Sequence, residues 1–78
     1  MNIEEKWTRI AAAQLVGRTI TKVRYMSQDE ADDLGWYSRP VVMILSDGNV
    51  VFCSADDEGN NGGALFTNDK DQPVLPVI

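Results

Sequence analysis

The chain has 78 residues, and 7 basic against 12 acidic residues give it a formal net charge of −5. This length has room for one domain, so we expect residues 1–78 to form a single small globular unit. The negative charge argues against a nucleic-acid partner, because a phosphate backbone repels an acidic surface. The chain contains no histidine, which excludes histidine-dependent catalytic triads and the commonest metal ligand.

Cysteine content and the start of the chain bear on cellular location. The one cysteine, Cys53, cannot form an intramolecular disulfide. The first residues include Glu4, Glu5, Lys6 and Arg9 and hold no apolar run long enough for a signal peptide or a membrane span. We therefore expect a cytoplasmic protein without a membrane partner. No phosphate-binding or dinucleotide fingerprint is present, so we predict no cofactor.

A helix is predicted at the start of the chain. Asn2 and Glu5 have the spacing of a capping box, and Gly17 is placed to end the helix. One apolar face recurs at helical spacing and contains Ile3, Trp7, Ile10, Ala11 and Leu15. This pattern predicts that Trp7 packs in the core of the protein.

A strand and a short acidic helix are predicted next. Residues 19–26 alternate β-branched or aromatic side chains with charged ones, which is typical of a half-buried strand. Ser27 and Glu30 repeat the capping-box spacing, and Gly35 is placed as a C-cap. The pattern predicts a helical insert over residues 28–34 that carries four acidic side chains.

The remaining elements are predicted to be strands. Residues 41–45 are apolar throughout, which indicates a central strand covered on both faces, and the Asp-Gly pair that follows predicts a tight hairpin into residues 50–54. Residues 64–67 predict another strand. The prolines of residues 73–78 exclude a helix and restrict that extended apolar segment to a sheet edge or an irregular packed position. We therefore predict an α+β fold, in which an N-terminal helix packs on a small antiparallel sheet of about three to five strands.

The segment from residue 54 to residue 65, S-A-D-D-E-G-N-N-G-G-A-L, is predicted to be an acidic loop. It contains five hard oxygen donors of the kind that Ca²⁺ and Mg²⁺ prefer: Asp56, Asp57, Glu58, Asn60 and Asn61. An EF-hand register starting at Asp57 puts Gly62 correctly at the sixth position but Gly59 at the third and Asn68 at the twelfth, where a glutamate belongs. Any ion site here would be non-standard, and the alternative is a solvated loop that caps its own backbone.

The connection Trp36-Tyr37-Ser38-Arg39 combines residue types that are enriched at protein interfaces. One hypothesis is that Trp36, Tyr37 and Arg39 form an interaction surface. The alternative is structural: Trp36 folds back as the apolar partner that follows the Gly35 cap, and Tyr37 covers the sheet.

Three runs of the sequence resemble a family of short, uncharacterised bacterial proteins. These runs are L-V-G-R-T-I-T-K-V-R-Y, G-W-Y-S-R-P-V-V-M-I-L-S-D-G-N-V-V-F and S-A-D-D-E-G-N-N-G-G-A-L-F. The resemblance spans about residues 15–66. It implies a stand-alone bacterial cytosolic protein, and it brings no activity, cofactor or catalytic residue with it.

Two function classes remain open. We predict a small non-enzymatic binding or interaction module that uses residues 36–39 and the acidic loop 55–63 and takes a protein partner or a second copy of the chain. The prediction includes no catalytic residue and no metal. The alternative is a divalent-cation-binding or carboxylate-dependent protein that uses Asp56, Asp57 and Glu58. A carboxyl group whose pKa is raised inside a cleft would favour this alternative.

Overall fold

The computed structural model describes residues 2–78, which form two helices and five short strands. In chain order the elements are α1 (Ile3–Leu15), β1 (Ile20–Tyr25), α2 (Gln28–Leu34), β2 (Val41–Leu45), β3 (Val50–Phe52), β4 (Leu65–Phe66) and β5 (Val74–Leu75). The first three strands form an antiparallel sheet with β2 in the centre, and β4 pairs with β5 in a separate antiparallel ribbon. The predicted α+β fold, with an N-terminal helix on a small antiparallel sheet and a short acidic helical insert, is confirmed.

Both helices begin at the predicted caps. The Asn2 side chain accepts a hydrogen bond from the Glu5 N–H at 2.8 Å, which satisfies one of the unpaired donors at the start of α1. At the start of α2 the Ser27 hydroxyl accepts from the Glu30 N–H at 3.1 Å, and the Glu30 carboxylate accepts from the Ser27 N–H at 2.9 Å. Gly35 ends α2 in the left-handed conformation with φ of 73°.

The buried core lies on the face of the sheet that α2 covers. It consists of Met26, Ala31, Trp36 and Val42, which are between 0% and 6% exposed. The main-chain N–H of Trp36 donates to the Ala31 carbonyl at 2.8 Å. This bond turns the chain directly after α2 ends, so that the indole packs against the helix. The core is therefore assembled from α2, β2, the connection between them, and Met26, which lies between β1 and α2.

Helix α1 lies on the opposite face of the sheet, and none of its residues is buried. The prediction that Trp7 is a core residue is wrong, because 56% of its surface is exposed. The helical spacing correctly placed Trp7 on the side of α1 that faces the sheet, but helix and sheet stand apart there and leave an open apolar groove. None of the helices in residues 2–78 has the length and apolar character to cross a membrane.

The segment that follows β5 is tied back onto the body of the protein. Arg39 and Ile78 exchange two main-chain hydrogen bonds of 2.9 and 3.0 Å. The Tyr25 hydroxyl donates to the Pro76 carbonyl at 2.7 Å. These contacts hold the proline-containing segment in the extended form that its sequence predicts.

Candidate functional site

The structure brings the two predicted site segments, residues 36–39 and the acidic loop 55–63, into direct contact. The Trp36 Nε1–H donates to the Gly59 carbonyl at 2.7 Å. The Asn61 side-chain oxygen accepts from the Tyr37 N–H at 3.1 Å and from the Ser38 N–H at 2.9 Å. Residues more than twenty positions apart in the chain thus form one surface, which we call the loop platform, comprising residues 36–39 and 55–63.

The acidic loop is closed at its base by main-chain hydrogen bonds. The Ala55 N–H donates to the Asn61 carbonyl at 2.8 Å, and the Gly63 N–H donates to the Cys53 carbonyl at 2.9 Å. An isolated antiparallel bridge joins Ser54 to Gly62. The loop is therefore an ordered excursion that leaves and rejoins the end of β3.

Asn61 is the residue that joins the two segments. In addition to the N–H groups of Tyr37 and Ser38, its side-chain oxygen accepts from the Gly62 N–H at 2.9 Å. Its amide nitrogen lies 3.4 Å from the Ser38 hydroxyl oxygen. A single side chain thus provides the acceptor for three backbone donors, and its oxygen is already used in holding the loop to the connection.

Two glycines allow the loop to approach this closely. A Cβ atom at Gly62 would lie 2.5 Å from the Ser38 carbonyl oxygen and 2.8 Å from the Pro40 ring. A Cβ atom at Gly63 would lie 2.7 Å from the Ser54 carbonyl oxygen. All three distances are shorter than non-bonded contacts permit, so close packing against Ser38, Pro40 and Ser54 requires glycine at both positions.

Trp36 is part of the core, as the structural interpretation of the connection predicts. It is 6% exposed, and its ring meets the Phe52 ring edge to face with centroids 5.8 Å apart. Trp36 therefore joins the loop platform to the buried core. Tyr37 differs from the expectation that it covers the sheet, because it is 92% exposed. Its main-chain N–H donates to the Asn61 side chain, while its own side chain is left in solvent.

The carboxylate of Asp56 is engaged within the loop. One oxygen accepts from the N–H groups of Glu58 at 3.0 Å and Asn60 at 3.3 Å, and the other accepts from the Asn60 side-chain amide at 2.9 Å. These bonds, above all those from Asn60, lower the pKa of Asp56. The shift is opposite to the raised pKa that a carboxylate acting as a general acid would show.

The other predicted site residues surround this arrangement. Asp57 and Glu58 are exposed on the outer part of the loop. Arg39 is half-buried, and its guanidinium group donates to the Met26 carbonyl at 3.4 Å. Within residues 2–78, no three Cys, Asp or Glu side chains are grouped closely enough to hold a metal ion.

The role of Asn61 was missed by reasoning from the sequence, which treated it as an oxygen donor for a cation. Its partners Ser38 and Tyr37 are 23 and 24 residues away in the chain, and a local sequence pattern does not predict such a contact. The signal that was present is the pair of glycines after it, because adjacent glycines often mark a place where two backbones meet.

Searches of known protein families, of curated proteins and of solved structures returned no significant match to this chain. The resemblance to short bacterial proteins therefore stays a prediction.

Proposed function

We propose that the protein is a small non-enzymatic interaction module of the bacterial cytoplasm, and that its loop platform binds a basic segment of a partner protein. The observation that carries the proposal is the exposure of the Tyr37 side chain on an ordered main chain. Its ring is 92% exposed, although its main chain is fixed by Asn61 and its neighbour Trp36 is buried in the core.

An exposed aromatic ring on a fixed backbone is well suited to recognition. Tyrosine offers a large contact area and loses little side-chain entropy on binding, since only two torsions have to be fixed. The backbone of Tyr37 is already ordered by the Asn61 acceptor, so a partner has less ordering cost to meet. Within residues 2–78 the Tyr37 ring is almost fully exposed, so packing in this part of the chain does not account for an aromatic residue at this position.

Charge supports a basic partner. Asp57 and Glu58 immediately precede Gly59, which is the point where the loop touches the Trp36 indole. A basic segment brings lysine and arginine side chains that can pair with these carboxylates and can also stack on an exposed aromatic ring such as that of Tyr37. The net charge of −5 would also steer a cationic segment towards the protein.

The test is fluorescence anisotropy with a labelled peptide Gly-Arg-Lys-Gly-Arg-Lys-Gly at low salt. We expect Tyr37→Ser to weaken binding about threefold, as loss of an exposed cation–π contact implies. The double variant Asp57→Asn/Glu58→Gln should also weaken it. The control Asp32→Asn/Asp33→Asn removes the same charge from α2. Equal weakening by both double variants, or no effect of Tyr37→Ser, would reduce the interaction to net charge alone and refute the proposal.

A further inference from the structure

A second surface, independent of the loop platform, lies between α1 and the open face of the three-stranded sheet. It is an apolar groove of about 600 Å³. Six of the residues that line it are Trp7, Ile10, Leu15, Ile20, Met43 and Val51. The groove separates the N-terminal helix from the strands it faces, and its walls are formed almost entirely by aliphatic and aromatic side chains.

The residues around the groove are unusually exposed for their type. Trp7 is 56% exposed, Leu15 48% and Ile20 53%, and Val23 on the same sheet face as Met43 is 59% exposed. No residue of α1 is buried. A helix of 13 residues is marginal in water without an apolar face covered by other parts of a protein. The apolar face of α1 therefore has too little cover in a single chain.

We propose that a second copy of this chain covers this face, with the two α1 helices packed antiparallel about a twofold axis. The exposed parts of Ile3, Trp7, Ile10, Leu15, Ile20 and Val23 amount to on the order of 600 Å² of apolar surface in each copy, against roughly 800 Å² per partner in a standard interface. Polar residues around this apolar surface supply the rest of the area buried in the interface. A twofold arrangement lets the Trp7 side chain of each copy enter the apolar groove between α1 and the sheet of the other copy.

The charges along α1 fit an antiparallel pair. The segment from residue 2 to residue 18 carries two acidic and three basic side chains, so α1 and its flanking residues lack the negative charge of the rest of the molecule. Glu4 and Glu5 lie in the first turn, and Arg18 lies just beyond the last turn. The Arg18 guanidinium pairs with Asp47 of its own chain at 2.8 Å and donates to the Ala13 carbonyl at 3.4 Å, and an intermolecular contact would add to these bonds. Antiparallel packing brings the acidic turn of each copy beside Arg18 of the other, and it opposes the two helix dipoles.

Sedimentation velocity across a concentration series tests the proposal. We expect the wild-type protein to shift from monomer to dimer between about 1 μM and about 500 μM. Trp7→Glu should weaken the dimer at least about tenfold. The control Tyr37→Glu adds the same charge at another exposed aromatic residue and should leave the dimer unchanged. A wild-type monomer throughout the series, or a dimer indifferent to Trp7→Glu, would overturn the proposal.

A charge exchange tests the antiparallel geometry and does not depend on how Trp7→Glu folds. Glu4→Arg and Arg18→Glu should each weaken self-association, because each places like charges together in both copies of the contact. Arg18→Glu also removes the ion pair of Arg18 with Asp47 in its own chain, so the decisive readout is the mixture, in which that loss persists but the contact between copies is regained. An equimolar mixture of the two variants should restore the dimer, since both contacts then pair opposite charges. No recovery on mixing would refute the antiparallel pair. Binding of the basic peptide to the loop platform is expected to survive all three substitutions, so failure of one proposal is distinguishable from failure of the other.

Discussion

The indole Nε1–H of Trp36 donates to the Gly59 carbonyl at 2.7 Å, so a core side chain ends directly on the acidic loop. The same ring packs edge to face on Phe52, and the main-chain N–H of Trp36 donates to the carbonyl of Ala31 in α2. Trp36 thereby links α2, the edge strand β3 and the loop. The order of the loop and the stability of the core are therefore expected to change together.

Replacing Trp36 separates its two roles. Trp36→Ala should cost about 3–5 kcal/mol of unfolding free energy, because it removes a large buried ring from a small core. Trp36→Phe keeps the ring contact but leaves the Gly59 carbonyl without its donor, so a smaller loss of about 1–2 kcal/mol is expected. Urea denaturation followed by circular dichroism measures both. A folded Trp36→Ala variant of nearly wild-type stability would show that the indole is not a core anchor.

Asn61 is expected to be the most sensitive polar residue of the loop. Asn61→Ala leaves the N–H groups of Tyr37, Ser38 and Gly62 without their acceptor, which should cost about 1–3 kcal/mol in urea denaturation. Asn61→Asp keeps the oxygen acceptor and should retain most of the stability. The matched control is Asn60→Ala, whose side chain bonds only to Asp56 within the loop. If Asn60→Ala proves as damaging as Asn61→Ala, the hydrogen bonds accepted by the Asn61 side chain are not what holds the loop in place.

Gly62 should tolerate no side chain. Gly62→Ala places a methyl group 2.5 Å from the Ser38 carbonyl oxygen, and we expect a loss of about 2–3 kcal/mol as the loop is pushed off the connection. Gly59→Ala is the comparison, because its φ of +75° is strained for alanine but the space around it is open, so about 1 kcal/mol is expected. Thermal denaturation of both variants shows which substitution costs more stability, and we expect it to be Gly62→Ala. The reverse order would mean that the loop lies further from Ser38 than the structure has it.

Acid sensitivity should reveal the ion pair between Glu30 and Arg24. The Arg24 guanidinium, 2.7 Å away, is the main cause that lowers the pKa of Glu30 to about 2, and the Ser27 N–H adds to the effect. A carboxyl pKa below its unfolded value of about 4.3 stabilises the fold above that pH, and the contribution is lost as pH falls towards 2.

Glu30→Gln should therefore be less stable than wild type at pH 7, and the difference should shrink between about pH 4.5 and pH 2. The pKa values of Asp47, Asp56 and Asp69 are lowered as well, but these groups are present in both proteins and cancel in the comparison. Urea midpoints measured at several pH values provide the data. Parallel curves for the two proteins would rule out the ion pair as a source of stability.

Local signals in the sequence predicted most of the elements. The capping box at Ser27 is present as predicted, and residues 28–34 and 41–45 have the predicted boundaries, because caps and apolar runs act within a few residues. Asn2 caps α1 as predicted, but Glu5 accepts from the Asn2 side-chain amide and not from the Asn2 main-chain N–H that a capping box uses. The Asp-Gly turn likewise forms the hairpin between β2 and β3.

What sequence reasoning missed is long-range. Periodicity placed Trp7 on the correct side of α1 but could not show that helix and sheet stand apart there. The docking of the acidic loop depends on Asn61 meeting a segment 23 residues earlier, and the anchoring of Ile78 on Arg39 spans the second half of the chain. Such contacts have no local signature, since they depend on how the elements pack.

Hydrogen exchange of the Tyr37 and Ser38 amides tests most directly whether the connection and the acidic loop form one ordered platform. Both amides are expected to be protected in the wild-type protein. In Asn61→Ala they should exchange much faster, while the amides of β2 keep their protection. Exchange of Tyr37 and Ser38 at the rate of an unstructured peptide in the wild type, or equal protection in Asn61→Ala, would contradict the docked platform on which the proposed function rests.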